Sequence, residues 1–143
     1  MKNIFVICLL CFGITAMSYG QAVVSIDPAK VVSPAAGGTL SVNIKISNGT
    51  GVAGYNLTVG FDTSALEYVE FKNANYLPAG AFAAPAQVSG NRVTLAATSL
   101  SGAAAAKSGT LATLKFKVIV AKASTIELVE VILSDSAANE LAV

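Results

Sequence analysis

An antiparallel β-sandwich is the fold class this sequence predicts, on three observations. Apolar and polar residues alternate with a period of two in several separate stretches. Turn-forming residues interrupt those stretches at roughly the 8–12-residue spacing of all-β domains. No long segment carries the 3.6-residue apolar period of an amphipathic helix. At 143 residues and 14.4 kDa the chain has room for one domain.

The first element is an export signal rather than part of the fold. Lys2 is the only charge before Asp27, and Ile4–Ile14 is an apolar run of eleven residues. A membrane-crossing helix needs about 20 residues, whereas the apolar core of a secretory signal takes about 7–15. Ser18 and Gly20 set a small-residue cleavage site before Gln21, and Gly20 and Ala22 offer a second before Val23. Residues 1–20, or 1–22 at the second site, are therefore expected to be removed. That leaves one exported domain over 21–143 that is free of the membrane. Both cysteines, Cys8 and Cys11, fall within the signal, so the domain has no disulfide and no thiol chemistry. It stands on its core, and a fold of this size buries roughly two-thirds of the chain surface.

The strands follow in order. Val23–Ile26 is short and ends at Asp27-Pro28. Val31-Val32 leads into the turn cluster Ser33-Pro34-Ala35-Ala36-Gly37-Gly38. In the next strand Leu40, Val42, Ile44 and Ile46 point one way and Ser41, Asn43 and Lys45 the other. Asn48-Gly49-Thr50-Gly51 turns the chain. Tyr55, Leu57, Val59 and Phe61 then alternate inward against Gly54, Asn56, Thr58 and Gly60. Asp62-Thr63-Ser64 makes a tight bend or a single helical turn before Leu66–Phe71. Asn73–Gly90, with Pro78, Gly80 and Pro85, reads as a loop. Arg92–Leu100 is a strand with Val93, Leu95 and Ala97 inward and Arg92, Thr94, Ala96 and Thr98 outward. Ser101–Gly109 is a loop with room for a short helical turn at Ala103–Lys107. In Thr110–Val120 the residues Leu114, Phe116, Val118 and Val120 share a face. Leu111 falls out of phase, which implies a bulge near Ala112-Thr113 or an exposed leucine. Thr125–Leu133 and Leu141–Val143 close the sandwich.

Composition excludes several functions. Nine basic and eight acidic residues give a net charge of +1, with no field for nucleic acid or an anionic membrane. Without histidine, the usual serine and cysteine triads, histidine-ligated zinc and the commonest general base are absent. Glu67 and Glu70 are expected on opposite sides of one strand, Asp62 to satisfy turn amides, and Glu127 and Glu130 to be solvated. A glycosidase needs two carboxylates roughly 5–10 Å apart in a cleft, and nothing here specifies that. Asp135, Asn139 and Glu140 supply too few oxygens for calcium, which takes 6–8 ligands, and read as a turn. The expectation is a non-enzyme with no metal and no cofactor.

Three stretches then carry a resemblance to the cohesin domain, the scaffoldin module that binds dockerins. Gly38–Asn48 resembles the family's second strand. Val52–Glu67 (VAGYNLTVGFDTSALE) resembles its long strand, its aromatic-Asp turn and its Leu-Glu. Ser108–Val118 resembles the Gly-x-Leu-Ala strand. The resemblance implies a nine-stranded jelly roll whose outer sheet face binds a dockerin-like protein in extracellular polysaccharide degradation. It also implies that the positions of the family's Asn-x-Asp contact pair are here Gly54 and Asn56, so the first polar group is missing and the second keeps its shape without its charge.

The candidate partner-binding strip is thus Gly54, Asn56, Thr58 and Gly60 with Thr94, Ala96 and Thr98 of a second strand. All are small or uncharged. A large charge at Thr58 is expected to block docking while leaving melting little changed, because the position is read as exposed. Two other readings compete. A related sandwich could bind polysaccharide directly, with Tyr68, Tyr76 and Phe82 as possible exposed rings, although Trp, the usual stacking residue, is absent. An adhesive or envelope subunit is the third. Asn48-Gly49-Thr50 and Asn56-Leu57-Thr58 match a glycosylation pattern that often arises by chance.

Overall fold

The computed structural model describes residues 20–28, 30 and 34–143. Nearly all of the expected signal, and Val31-Val32-Ser33, lie outside these residues. The alternating stretches form strands β1 (Val23–Asp27), β2 (Thr39–Ser47), β3 (Gly54–Phe61), β4 (Leu66–Asn73), β5 (Phe82–Ala83), β6 (Gln87–Ser89), β7 (Arg92–Thr98), β8 (Gly109–Val118), β9 (Ile126–Ser134) and β10 (Glu140–Leu141). They pair into two antiparallel sheets. One is four-stranded, in the order β1-β2-β8-β4. The other is six-stranded, in the order β10-β9-β3-β7-β5, with β6 also on β7.

The period-two pattern explains how the sheets close on each other. Leu40, Val42, Ile44 and Ile46 of β2, and Leu114, Phe116 and Val118 of β8, face Leu57, Val59, Val93, Leu95 and Leu133 of the other sheet, and all are buried. Phe116 centres the core. Its ring lies 5.2 Å from Phe61 and 6.3 Å from Tyr68, the latter edge-on. A polar tie crosses the sandwich: the buried Tyr55 hydroxyl donates to Asn73 Oδ1 at 2.8 Å and lies 3.3 Å from the Leu111 carbonyl. Burial pushes the Tyr55 phenol well above its ordinary range, so it stays a protonated donor.

Several expectations are corrected. The all-β jelly-roll sandwich stands, with nine strands as an approximate count: ten segments pair, because Asn73–Gly90 is not all loop. It lays β5 and β6 along the edge of β7, with Phe82 opposite Thr98 and Val88 opposite Val93. Leu111 is fully buried, and the bulge falls on it, between the Ile44–Ala112 and Lys45–Thr110 pairs. The extra residue lets Leu111 and Ala112 both reach the interior. A second bulge at Val69 reverses the phase of β4, so Glu67 and Glu70 share the outer face, opposite Lys117 and Lys115. Val120 does not continue the β8 face. The strand ends at Val118, the amides of Ile119 and Val120 turn to the Ala65 carbonyl, and Val120 is exposed. Ala103–Lys107 forms no helical turn. Tyr76 and Tyr68 are not free rings: Tyr76 is buried and Tyr68 packs on Phe116.

Candidate functional site

Antiparallel register decides which side chains share a face, because directly opposed residues point the same way. β3 lies in the middle of the six-stranded sheet between β7 and β9. Its pairs set four outward rows: Thr98–Gly54–Ser134, Ala96–Asn56–Ile132, Thr94–Thr58–Glu130 and Arg92–Gly60–Glu127. All seven residues of the sequence-predicted strip are therefore brought together on one outer face. The strip leaves out Arg92, Glu127, Glu130, Ile132 and Ser134, which complete the rows. Glu130, Ile132 and Ser134 sit beyond a bulge at Val129 that shifts the phase of β9, so simple alternation counted from Thr125 puts them on the opposite face from Glu127.

The rows differ in depth. Asn56 and Thr98 are exposed, and Thr94 and Ala96 are half-buried. Thr58 is only 9% exposed, and its hydroxyl lies 3.3 Å from that of Thr94. The two glycines are covered by their neighbours. A Cβ on Gly54 would stand 2.7 Å from Ser134 Oγ and 3.2 Å from the Ala97 carbonyl oxygen; one on Gly60 would stand 3.1 Å from Val129 Cγ2. Their smallness thus serves sheet packing before any outside contact. The expectation that Thr58 stands exposed is corrected: on a central strand, flanking side chains close over it.

Charge is distributed unevenly. The four-stranded sheet carries cross-strand ion pairs on its outer side: Lys45 with Asp27, and Lys115 with Glu70 at 3.0 Å. The Lys115 hydrogen bond, with Lys72 nearby, holds the Glu70 carboxyl below its ordinary range. Among the described residues, no ion pair lies on the outer face of the six-stranded sheet. Elsewhere Asp62 and Asp135 hold turns. Asp62 accepts from the hydroxyl and amide of Ser64 and pairs with Lys122 at 3.2 Å. Asp135 accepts from the side-chain and backbone N–H groups of Asn139 and from the Ala137 amide. These hydrogen bonds lower both carboxyl pKa values. Among the described residues, no three acidic groups converge as a metal site would require.

The family profile for the cohesin domain matches residues 24–143. No curated protein matches the chain. Solved structures with a similar fold include a non-cellulosomal cohesin from the hyperthermophilic archaeon Archaeoglobus fulgidus, at a TM-score of 0.69 and 19% identity over 85% of this chain and 83% of that one. Another is the sixth cohesin of Acetivibrio cellulolyticus scaffoldin B, crystallised with a mutant Cel5 dockerin, at 0.67 and 18% over 86% and 92%. A third is a cohesin module from a Clostridium perfringens family 33 glycoside hydrolase, at 0.68 and 14% over 87% and 90%. With a sandwich of this topology and a profile match that spans the described domain almost completely, the chain belongs to the cohesin domain family.

Proposed function

We propose that this chain is an exported, non-catalytic docking module that binds a dockerin-like protein through the outer face of its six-stranded sheet, in extracellular polysaccharide degradation. The observation that carries the reading is the contrast between the two outer faces. One is laced with lysine–carboxylate pairs, as a permanently solvated sheet is. The other presents Asn56, Thr94, Ala96 and Thr98 without an ion pair. Neutral, short side chains let a partner approach without stranding a charge. Export is supported by the apolar run at Ile4–Ile14 and the small residues before Gln21. A non-catalytic role is supported by the absence of His and Cys from residues 21–143 and by the engagement of Glu70, Asp62 and Asp135 in structural contacts. Direct polysaccharide binding is not favoured, because Phe82 is the one exposed ring among the described residues and a stacking platform needs several.

Calorimetric titration against a panel of dockerin modules tests the reading. At least one should bind. Asn56→Arg should then weaken that binding by about 2–4 kcal/mol, by bulk and by burying an unpaired charge, and should move Tm little because the position is exposed. Lys115→Ala, on the opposite sheet, should bind like the parent. A panel with no binder, or a binder indifferent to Asn56→Arg, removes this function.

A further inference from the structure

The outer face is not uniform along β3. At the Gly54 end it sinks into a depression of about 280 Å³, whose lining includes Asn56, Phe82, Ala84, Ala96, Thr98 and Ile132. No charged side chain is among the lining residues. Phe82 stands 59% exposed, held on β5 opposite Thr98, and the Ala84 amide bonds the Ala96 carbonyl at 2.9 Å to fix that edge. An exposed phenylalanine beside two alanines and an isoleucine is apolar surface that a partner would cover. At the other end lies a polar hollow of about 480 Å³, with Thr58 and Thr94 flanked by Gln87, Arg92 and Glu130. Arg92 and Glu130 have no ion-pair partner among the described residues. Ala96 and Arg92 are four residues apart on one strand, or about 13 Å.

Resting on the docking function proposed above, we infer that the Phe82–Ile132 depression is the anchor pocket for a single apolar side chain of a partner helix lying along β3, and that the Arg92–Glu130 hollow takes a charge-bearing part of the same helix about nine residues away. A charged group in the depression would lose its hydration and find no counter-charge. An apolar one releases water from Phe82 and Ile132 and sits in a pocket that small side chains leave open. At the other end the unpaired Arg92 and Glu130 meet opposite charges across the interface, which fixes direction more than it adds affinity. Reversing the helix would place its charges in the depression and its anchor between Arg92 and Glu130, so the helix docks one way round.

The probe is a display library of two-helix hairpins, randomised on one face and selected for binding to the protein. Selected hairpins should share one Leu, Ile, Met or Val position, with a charged residue about nine positions away. Ala96→Phe fills the depression and should weaken them about 30-fold or more, and Phe82→Ala, which removes a wall, about tenfold. Arg92→Ala should cost less and lose its effect in high salt. Thermal unfolding checks each variant, and Ala96→Leu replaces Ala96→Phe if the latter does not fold. Hairpins that lose binding to Asn56→Arg but bind the Ala96 and Phe82 variants like the parent overturn the anchor while leaving the docking face intact. Hairpins indifferent to all of these variants overturn both. Displacement of the hairpins by soluble polysaccharide fragments assigns the depression to a sugar and overturns the proposal.

Discussion

Turned to solvent, the four-stranded sheet carries Glu67, Glu70, Lys45, Lys72, Lys115 and Lys117, while β3 and β7 of the six-stranded sheet carry Gly54, Asn56, Thr58, Thr94, Ala96 and Thr98. Both faces use the same pleat and the same inward set of Val, Leu and Ile. Local propensity therefore cannot explain the difference: β-branched threonines suit either face. What separates them is whether charge would have to be stripped of water if something covered the sheet. On one face charges are paired across strands and left in water. On the other they are pushed to the Arg92, Glu127 and Glu130 end, so the middle can be covered at little electrostatic cost. Inner packing and outer chemistry are thus independent variables in this sandwich.

The most severe way to test that independence is Val59→Asp. Val59 is fully buried and adjacent to Thr58 on the same strand. An unpaired carboxylate there should cost about 4 kcal/mol or more, and circular dichroism should show loss of the fold. A folded variant would mean that the two faces of β3 are not distinct. Thr58→Arg comes next. Because Thr58 is 9% exposed and its hydroxyl lies 3.3 Å from Thr94, the arginine must push between β7 and β9. Stability should fall by about 1–3 kcal/mol, read as a lower denaturation midpoint, whereas Asn56→Arg two residues away should move it little. Equal effects would erase the difference in depth between the rows.

The smallest expected effect is that of acid. Glu70 titrates lower in the folded protein than in the unfolded chain, since Lys115 favours its ionised form. The unfolded chain therefore takes up protons first as pH falls. The stabilisation is complete at neutral pH and is lost as pH drops through the folded pKa of Glu70. Denaturation at stepwise lower pH should show this loss, and Glu70→Gln should reduce it. At neutral pH the Glu70→Gln variant should dock across the Asn56 row with the affinity of the parent. A docking affinity that fell in Glu70→Gln would tie the two faces together.

The strands were legible because each buried face writes itself as alternation. β2 and β7 read residue for residue, down to Ala97 inward and Ala96 outward. Single-residue bulges were harder. Leu111 announces itself by falling out of phase, but Val69 and Val129 each follow an apolar residue and precede a glutamate, so strict alternation carried past them puts the next residues on the wrong face. That is why alternation alone puts Glu67 and Glu70 on opposite sides and leaves Glu130 and Ile132 out of the site. β5 and β6 are two and three residues long, too short for a period to register, and they exist because the edge of β7 offers them partners. Alternation also gives direction without depth. It placed Thr58, Gly54 and Gly60 outward, but only the register with Ser134, Val129 and Glu127 shows how far neighbours close over them.

The hydroxyl of Tyr55, reaching across the core to Asn73 and the Leu111 carbonyl, has a consequence for how such a surface can change over generations. It fastens the backbone next to Asn56 to the opposite sheet by groups that take no part in the outer face. Residues 56, 96 and 98 can therefore be exchanged for others while the strand that presents them keeps its place. A module built this way can acquire a new binding preference by altering a few outward side chains, with the scaffold that positions them carried over unchanged.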